Sequence, residues 1–392
     1  MEAVGIIAEY NPFHKGHLYH LQQAKSLTGL PVIAVISGHI MQRGDLSLWD
    51  KWTRATMAVA CGVDLVLELP AAFSLRSAQY FATGGVRLLE ACGCVSHLVC
   101  GVENAQRDFL AQAHCLKENQ QDLQGFLKAG HSYGKACSLV LEKHFAAGLD
   151  SPNDILALEY TKACLAGKGR PLIPHYLQRQ ASDYRDSAIT GTIASATAIR
   201  AALNRGEAWQ HTVPEKLVPL IEEAIKKAPP AQGEDRLWQL LRYQLLMLKT
   251  EEIAARCQAS EGLEHVLKDN GLAKDFPAFL AACQKKRYPL SRLRRLCLQL
   301  LLQRPREYFD QKEPAYLRVL AFNDRGRQLL HQMKTTASLP LLTKLGKNPA
   351  QGREAAFGQQ LDLDIAATGL ASLLYGQVPP DADYLKGPVY VK

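Results

Sequence analysis

The sequence predicts an α/β fold: a parallel sheet covered by helices on both faces, continuing into a mainly α-helical C-terminal half. Three observations predict it. In the first half of the 392 residues, short runs that are apolar at nearly every position alternate with amphipathic helical runs. Such runs suit strands buried on both faces, and their alternation with helices suits a parallel sheet. From about Gly206 onward the strand-like runs cease, and Leu-rich stripes recur at helical spacing.

Taken in order, residues 3–8 (AVGIIA) read as a first strand, ended by the breaker pair Asn11-Pro12. An amphipathic helix follows, to about Leu27. Residues 31–36 (PVIAVI) form a second strand that stops at Ser37-Gly38. Residues 49–61 predict a helix with Gly62 as its stop. Residues 63–69 (VDLVLEL) are a third strand closed by Pro70, residues 97–100 with Val95 a fourth closed by Gly101, and residues 172–177 a fifth. Residues 207–227 and 234–263 read as helical, with a loop at 227–233 between them. Residues 315–334 and 362–376 continue the helical pattern, and the tail 378–392 reads as extended. The expected division is residues 1–205 and residues 206–392.

Composition narrows the class. Apolar content of 47% and charged content of 21% are ordinary for a globular chain with a substantial core. No apolar run reaches transmembrane length, and the N-terminus has no basic segment before its first apolar run, so no membrane partner and no signal peptide are expected. Ten cysteines lack metal-type spacing. Reduced thiols in a packed interior, and hence a cytoplasmic location, follow from that scatter. Nothing in the sequence specifies an oligomeric state.

Ligands of parallel sheets sit beyond the carboxyl ends of the strands, and the polar clusters fall there. The first is His14-Lys15-Gly16-His17, with His20 one turn on. Its helix mouth offers free N–H groups and the positive end of a dipole to an anion. Gly16 lets backbone approach a phosphate, and the imidazoles can donate to its oxygens. Glu9 and Asn11 share the turn; the plainer alternative is a satisfied turn around a buried histidine. The second cluster is Gln42-Arg43-Gly44-Asp45 followed by Asp50, Lys51 and Arg54. Lys51 and Arg54 lie three apart at a helix start, where cations oppose the dipole; they point either to an anionic partner or to a solvated face. The third, Ser151-Pro152-Asn153-Asp154, opens a helix, and Asn153 or Asp154 reads first as its N-cap. The fourth runs from Arg179 to residues 190–200 (TGTIASATAIR): Ser195 as N-cap, Thr197 in the first turn and Arg200 form an anion pocket. The fifth is a basic block, residues 285–306, with eight Lys/Arg and no Asp or Glu. Lys285, Lys286, Arg287, Arg292, Arg294 and Arg295 are its candidates for a phosphate backbone, with Tyr288 beside them for stacking; a solvated helix face is the alternative.

With the first and fourth clusters together, H-x-G-H after a first strand plus S-A-T-x-I-R after a later one, the chain resembles the nucleotidyltransferase superfamily with the HIGH-type signature. Longer motifs, GIIAEYNPFHKGH, SGHIMQRG, DKWTRA and DLVLELP, resemble the bacterial tRNA(Met) cytidine acetate ligase family across essentially the whole chain, and KRYPLSRLRR fits its helical C-terminal region. The resemblance implies a Rossmann-like nucleotidyltransferase sheet. It implies an ATP-binding catalytic domain over 1–205 and a mainly helical tRNA-binding domain over 206–392. Such enzymes activate acetate as acetyl-adenylate, with loss of pyrophosphate and without acetyl-CoA. They then acetylate N4 of the wobble cytidine in elongator tRNA(Met), giving N4-acetylcytidine. ATP binding in the family maps here onto Ile7, Ala8, Glu9, Tyr10, Asn11, Pro12, Phe13, His14, Lys15, Gly16, His17, Leu18, Tyr19 and His20, and onto Gly101, Asn153 and Arg179. Departures exist: Gly101-Val102-Glu103 stands where the family often has Gly-Ser-Glu, and Asn153-Asp154 where it often has Asn-Asn.

On this basis His14 and His17 are expected at the phosphates, Lys51 and Arg200 as clamps for the departing pyrophosphate, and Mg²⁺ bridging it. His20 or Glu9 stands nearest to a base for the amine attack. The competing expectations are a nucleotidyltransferase acting on a small phosphorylated metabolite and an RNA-binding protein that only senses ATP. The long basic helical region speaks against the former, and the intact motifs against the latter.

Overall fold

The computed structural model of the chain describes all residues except 146, 147, 150, 168, 181–188, 190, 228–232, 286, 287, 347–353 and 377. Eight strands form one sheet: β1 (Ala3–Ala8), β2 (Val32–Ser37), β3 (Leu65–Leu69), β4 (Val95–Val102), β5 (Ile173–Gln178), β6 (Leu317–Phe322), β7 (Leu341–Leu342) and β8 (Val389–Tyr390). The order is β5-β4-β1-β2-β3-β6-β7, with β8 also on β6. β5 through β3 are mutually parallel, whereas β6 runs antiparallel to β3.

The apolar strands alternate between two cores. Ile33, Val35, Leu65 and Leu67 face one buried cluster, and Val32, Ala34, Ile36 and Val66 face the other. Both faces are covered, so every residue of β2 is buried. From β1 the chain crosses to β2 on one side, while β4 pairs with β1 on the other. The carboxyl ends of β1 and β4 therefore flank a topological switch point.

The five strands expected in the first half are present, and all ten cysteines are buried and free. The second half departs from an all-helical pattern. Residues 317–322 form a strand, and the helix Asp324–Thr336 begins only afterwards. Leu317, Val319, Leu320 and Ala321 are apolar enough to serve either as strand or as buried helix, and pairing with β3 decides. The tail contains the short helix Ala382–Leu385 and β8. Residues 1–205 and 206–392 thus share one sheet, and one buried cluster runs from Ala3 to Leu374. The expected loop at 227–233 lies largely outside the described residues.

Lys51 and Arg54 are buried, which overturns their expected projection toward an anion. Lys51 Nζ lies 2.8 Å from Glu68 and 2.7 Å from Asp383, and Arg318 pairs with the same two carboxylates at 3.4 and 2.7 Å. Glu68 and Arg318 face each other across the β3–β6 pair. Burial pushes the Asp383 carboxyl up, but Lys51 and Arg318 overcome it and hold it below its ordinary value. A clamp for pyrophosphate at Lys51 is therefore corrected to a bond between the sheet and the C-terminal tail. Arg54 donates to the carbonyls of Glu9 (2.6 Å), Ser37 (2.8 Å) and Gly38, fastening the ends of β1 and β2.

Candidate active site

A cavity of about 460 Å³ opens at the carboxyl ends of β1, β4 and β5. Ile7, Ala8, Glu9, Tyr10, Asn11, His14, Gly16, His17, Tyr19 and His20 line it, together with Gly101, Asn153, Arg179, Ser195 and Arg200. Pro12, Phe13, Lys15 and Leu18 of the same loop, and Thr197, do not line it. Phe13 instead fills the core beneath, with Tyr10 and His17 against its ring.

The helix Lys15–Thr28 starts at the cavity because β1 ends there. His14 is its N-cap: Nδ1 accepts the Gly16 N–H at 3.1 Å, and His17 Nδ1 accepts the His14 N–H at 3.3 Å. These two bonds fix the tautomer, because a ring nitrogen that accepts cannot carry the proton. Both rings therefore carry N–H at Nε2, and both residues line the cavity. Burial, reinforced by the Arg179 and Arg200 guanidinium groups, pushes the His14 imidazole down to about 3. Burial and then His14 hold His17 well below its ordinary value. Both are neutral donors, stacked with centroids 3.7 Å apart. A Cβ on Gly16 would fall 2.9 Å from His14 Cε1, so only glycine leaves this cap undisturbed.

Two cations close the anion side. Arg200 projects from the helix Ala196–Arg205, whose N-cap Ser195 accepts the Ala198 N–H at 3.0 Å. Arg200 donates to the Asn11 carbonyl (2.7 Å) and to Thr197 Oγ1 (3.3 Å), so Thr197 acts by holding Arg200. Arg179 follows β5, its N–H on the Val102 carbonyl at 2.9 Å. Its guanidinium makes no hydrogen bond or ion pair among the described residues, and its charge is felt at His14, His17 and His20. His20 Nε2 is buried without a hydrogen-bond partner among the described residues, and burial followed by Arg179 pushes its ring down to about 4.

The helix Pro152–Leu165 is capped differently from the expectation that Asn153 or Asp154 would be its N-cap. Ser151 holds that position without a side-chain bond, and Glu103, just after β4, takes the Asp154 N–H at 3.1 Å and the Asn153 amide. Asp154 returns the contact by accepting the Glu103 N–H at 2.7 Å, and Arg107 lies 3.2 Å from its other oxygen. Val102 is a buried strand residue whose side chain offers no polar contact; its backbone carbonyl accepts the Arg179 N–H.

Met41, Gln42, Arg43, Asp45, Tyr160 and Ser291 also line the cavity. The turn Gln42-Arg43-Gly44-Asp45 is visible in sequence, but its place in the wall is not. Glu9 Oε1 accepts the Gln42 N–H at 2.6 Å; burial raises the Glu9 carboxyl, and that bond opposes the rise.

The basic block is largely engaged within the molecule. Arg294 pairs with Asp45 (2.9 Å) and Glu234 (3.2 Å), and Arg295 donates to the Gln42 carbonyl (3.1 Å). Arg292 reaches Ser260 Oγ at 2.9 Å. Tyr288 is buried, its hydroxyl on the Glu261 carbonyl, so it is no platform for a base. Lys285 is exposed, and Lys286 and Arg287 lie outside the described residues. Among the described residues no three His, Cys, Asp or Glu side chains converge to hold a metal. No described helix is long and apolar enough to cross a membrane.

The architecture has known relatives. The family model described as HIGH Nucleotidyl Transferase matches residues 1–383. The tRNA(Met) cytidine acetate ligase of Leuconostoc citreum is 38% identical over 406 residues, covering 100% of this chain and 98% of that protein. Crystal structures of Thermotoga maritima TmcAL, 30% identical, match over 100% of both chains, with a TM-score of 0.91 for the apo form and 0.89 for the form bound with alpha-thio ATP.

Proposed function

Because this chain belongs to the tRNA(Met) cytidine acetate ligase family of HIGH nucleotidyl transferases, we propose that it activates acetate with ATP and acetylates N4 of the wobble cytidine of elongator tRNA(Met). One observation carries the reading at the level of chemistry. Two neutral imidazoles, each with N–H fixed at Nε2, sit at a helix mouth on the wall of one cavity, within the field of Arg179 and Arg200.

In the first step an acetate oxygen attacks the α-phosphorus of ATP and pyrophosphate leaves. Charge grows on the phosphate oxygens, and the task of the protein is positioning and charge stabilisation. His14 and His17 donate from Nε2, and neutral donors held by backbone need no reorganisation as charge develops. Arg179 and Arg200 hold the polyphosphate. Mg²⁺ would arrive with ATP and would supply positive charge for its phosphates. In the second step the cytidine amine attacks the acetyl carbon, AMP leaves with the anhydride oxygen, and the amine gives up one proton, for which His20 or Glu9 on the cavity wall is the candidate base. The wobble base reaches the cavity by leaving its stack. Lys285, Lys286, Arg287 and Arg292 are the cations assigned to tRNA contact. ATP and tRNA as substrates support a cytoplasmic location.

Acetate-dependent exchange of labelled pyrophosphate into ATP tests the first step. His17→Ala is expected to lower exchange by about 10²–10³-fold, the loss typical of a removed oxyanion donor, while ATP still binds. Exchange at the wild-type rate in that variant would overturn the role. Exchange that requires a small phosphorylated metabolite in place of acetate would transfer the reading to a small-molecule nucleotidyltransferase.

A further inference from the structure

We propose that Arg294 and Arg295 are positioning residues of the nucleotide cavity: they hold the wall formed by residues 41–45 rather than contact RNA. This deepens the reading of the cavity as an ATP site and rests on it.

The wall is a tight turn. Met41 N–H donates to the Asp45 carbonyl (2.8 Å) and Gly44 N–H to the Met41 carbonyl (3.0 Å), with Ile40 and Leu46 bridged at its base. Met41, Gln42, Arg43 and Asp45 line the cavity from it. The turn lies against the start of the helix Leu290–Leu302, whose Ser291 also lines the cavity. Gly44 has φ +81°, and a Cβ there would fall 2.5 Å from the Arg295 backbone nitrogen. Backbone therefore meets backbone, a contact only glycine allows.

Side chains complete the grip. Gln42 is held from both ends of its residue: its N–H donates to Glu9 at the cavity, and its carbonyl accepts from Arg295 at 3.1 Å. Gln42 Nε2 donates to the Arg76 carbonyl at 3.1 Å. Arg294 bridges Asp45 to Glu234 on the helix Gly233–Met247. Arg295 is half-buried, and burial followed by Arg292 pushes its guanidinium down to about 10, so it stays charged at neutral pH. To reach a phosphate of RNA, either arginine would have to release the wall.

The test compares Arg295→Ala, Gly44→Ala and Asp45→Asn in the full chain, reading ATP affinity by equilibrium binding, exchange activity, and tRNA affinity across a salt series. Gly44→Ala and Arg295→Ala disturb the same grip from opposite sides, and Gly44→Ala removes no cation. Both are expected to weaken ATP binding by about tenfold, the worth of one charge-assisted hydrogen bond, with tRNA affinity and salt slope unchanged. If Arg295→Ala binds ATP normally but loses tRNA affinity and about one unit of salt slope, the proposal is overturned. Should these two fail to fold, Asp45→Asn decides: weaker ATP binding supports the grip, and wild-type binding and exchange refute it. A wild-type protein that binds no ATP would remove the reading of the cavity itself.

Discussion

His14 and His17 act through their tautomer rather than their charge. With His14 down at about 3 and His17 held well below its usual value, both by burial first, both are neutral donors at neutral pH. The exchange rate at saturating ATP should therefore show no step near pH 6.5 that vanishes in His17→Asn; such a step would contradict a neutral donor. Stability carries the opposite signature. The unfolded chain binds protons at these histidines near pH 6.5 and the folded chain does not, so stability is full above about pH 6.5 and is lost as pH falls toward the folded values. Thermal melts between pH 7 and pH 5 check this: the midpoint should fall with acid. The motif H-x-G-H was readable because residue types at fixed spacing define a helix mouth. The tautomer was not, since it depends on which backbone N–H each Nδ1 meets.

At the level of elements, the site is a strand-turn-helix unit met by a second capped helix. Ser195 anchors the latter, and Ser195→Ala should cost about 1 kcal/mol of stability and loosen Arg200, raising the KM for ATP; an unchanged KM with a lowered melting point would confine Ser195 to capping. Both helix starts were legible, because caps are local. The cap of the helix Pro152–Leu165 was not, since Glu103 follows β4 and lies 49 positions before Pro152 (103 to 152). The basic block shows the same boundary. Its charge is visible in sequence, but the partners that occupy Arg292, Arg294 and Arg295 lie at Ser260, Asp45 and Gln42.

Across the whole molecule, the sheet binds the two halves together, which charge and periodicity could not show. β6 covers the β3 edge, and the cluster Lys51, Glu68, Arg318 and Asp383 ties it to the tail. Lys51→Met leaves two buried carboxylates with one cation and should destabilise by about 3–5 kcal/mol, read as a lowered denaturation midpoint. A folded variant that has lost only exchange activity would restore Lys51 to the site. Residues 1–205 alone should fail to fold cooperatively, because β3 would become an exposed edge. Acetate transfer to tRNA is read by supplying labelled acetate with total tRNA, with and without ATP and with no acetyl-CoA. Label is expected in tRNA only when ATP is present, recovered as N4-acetylcytidine. Pyrophosphate released from ATP with acetate present but no label in tRNA would contradict that transfer.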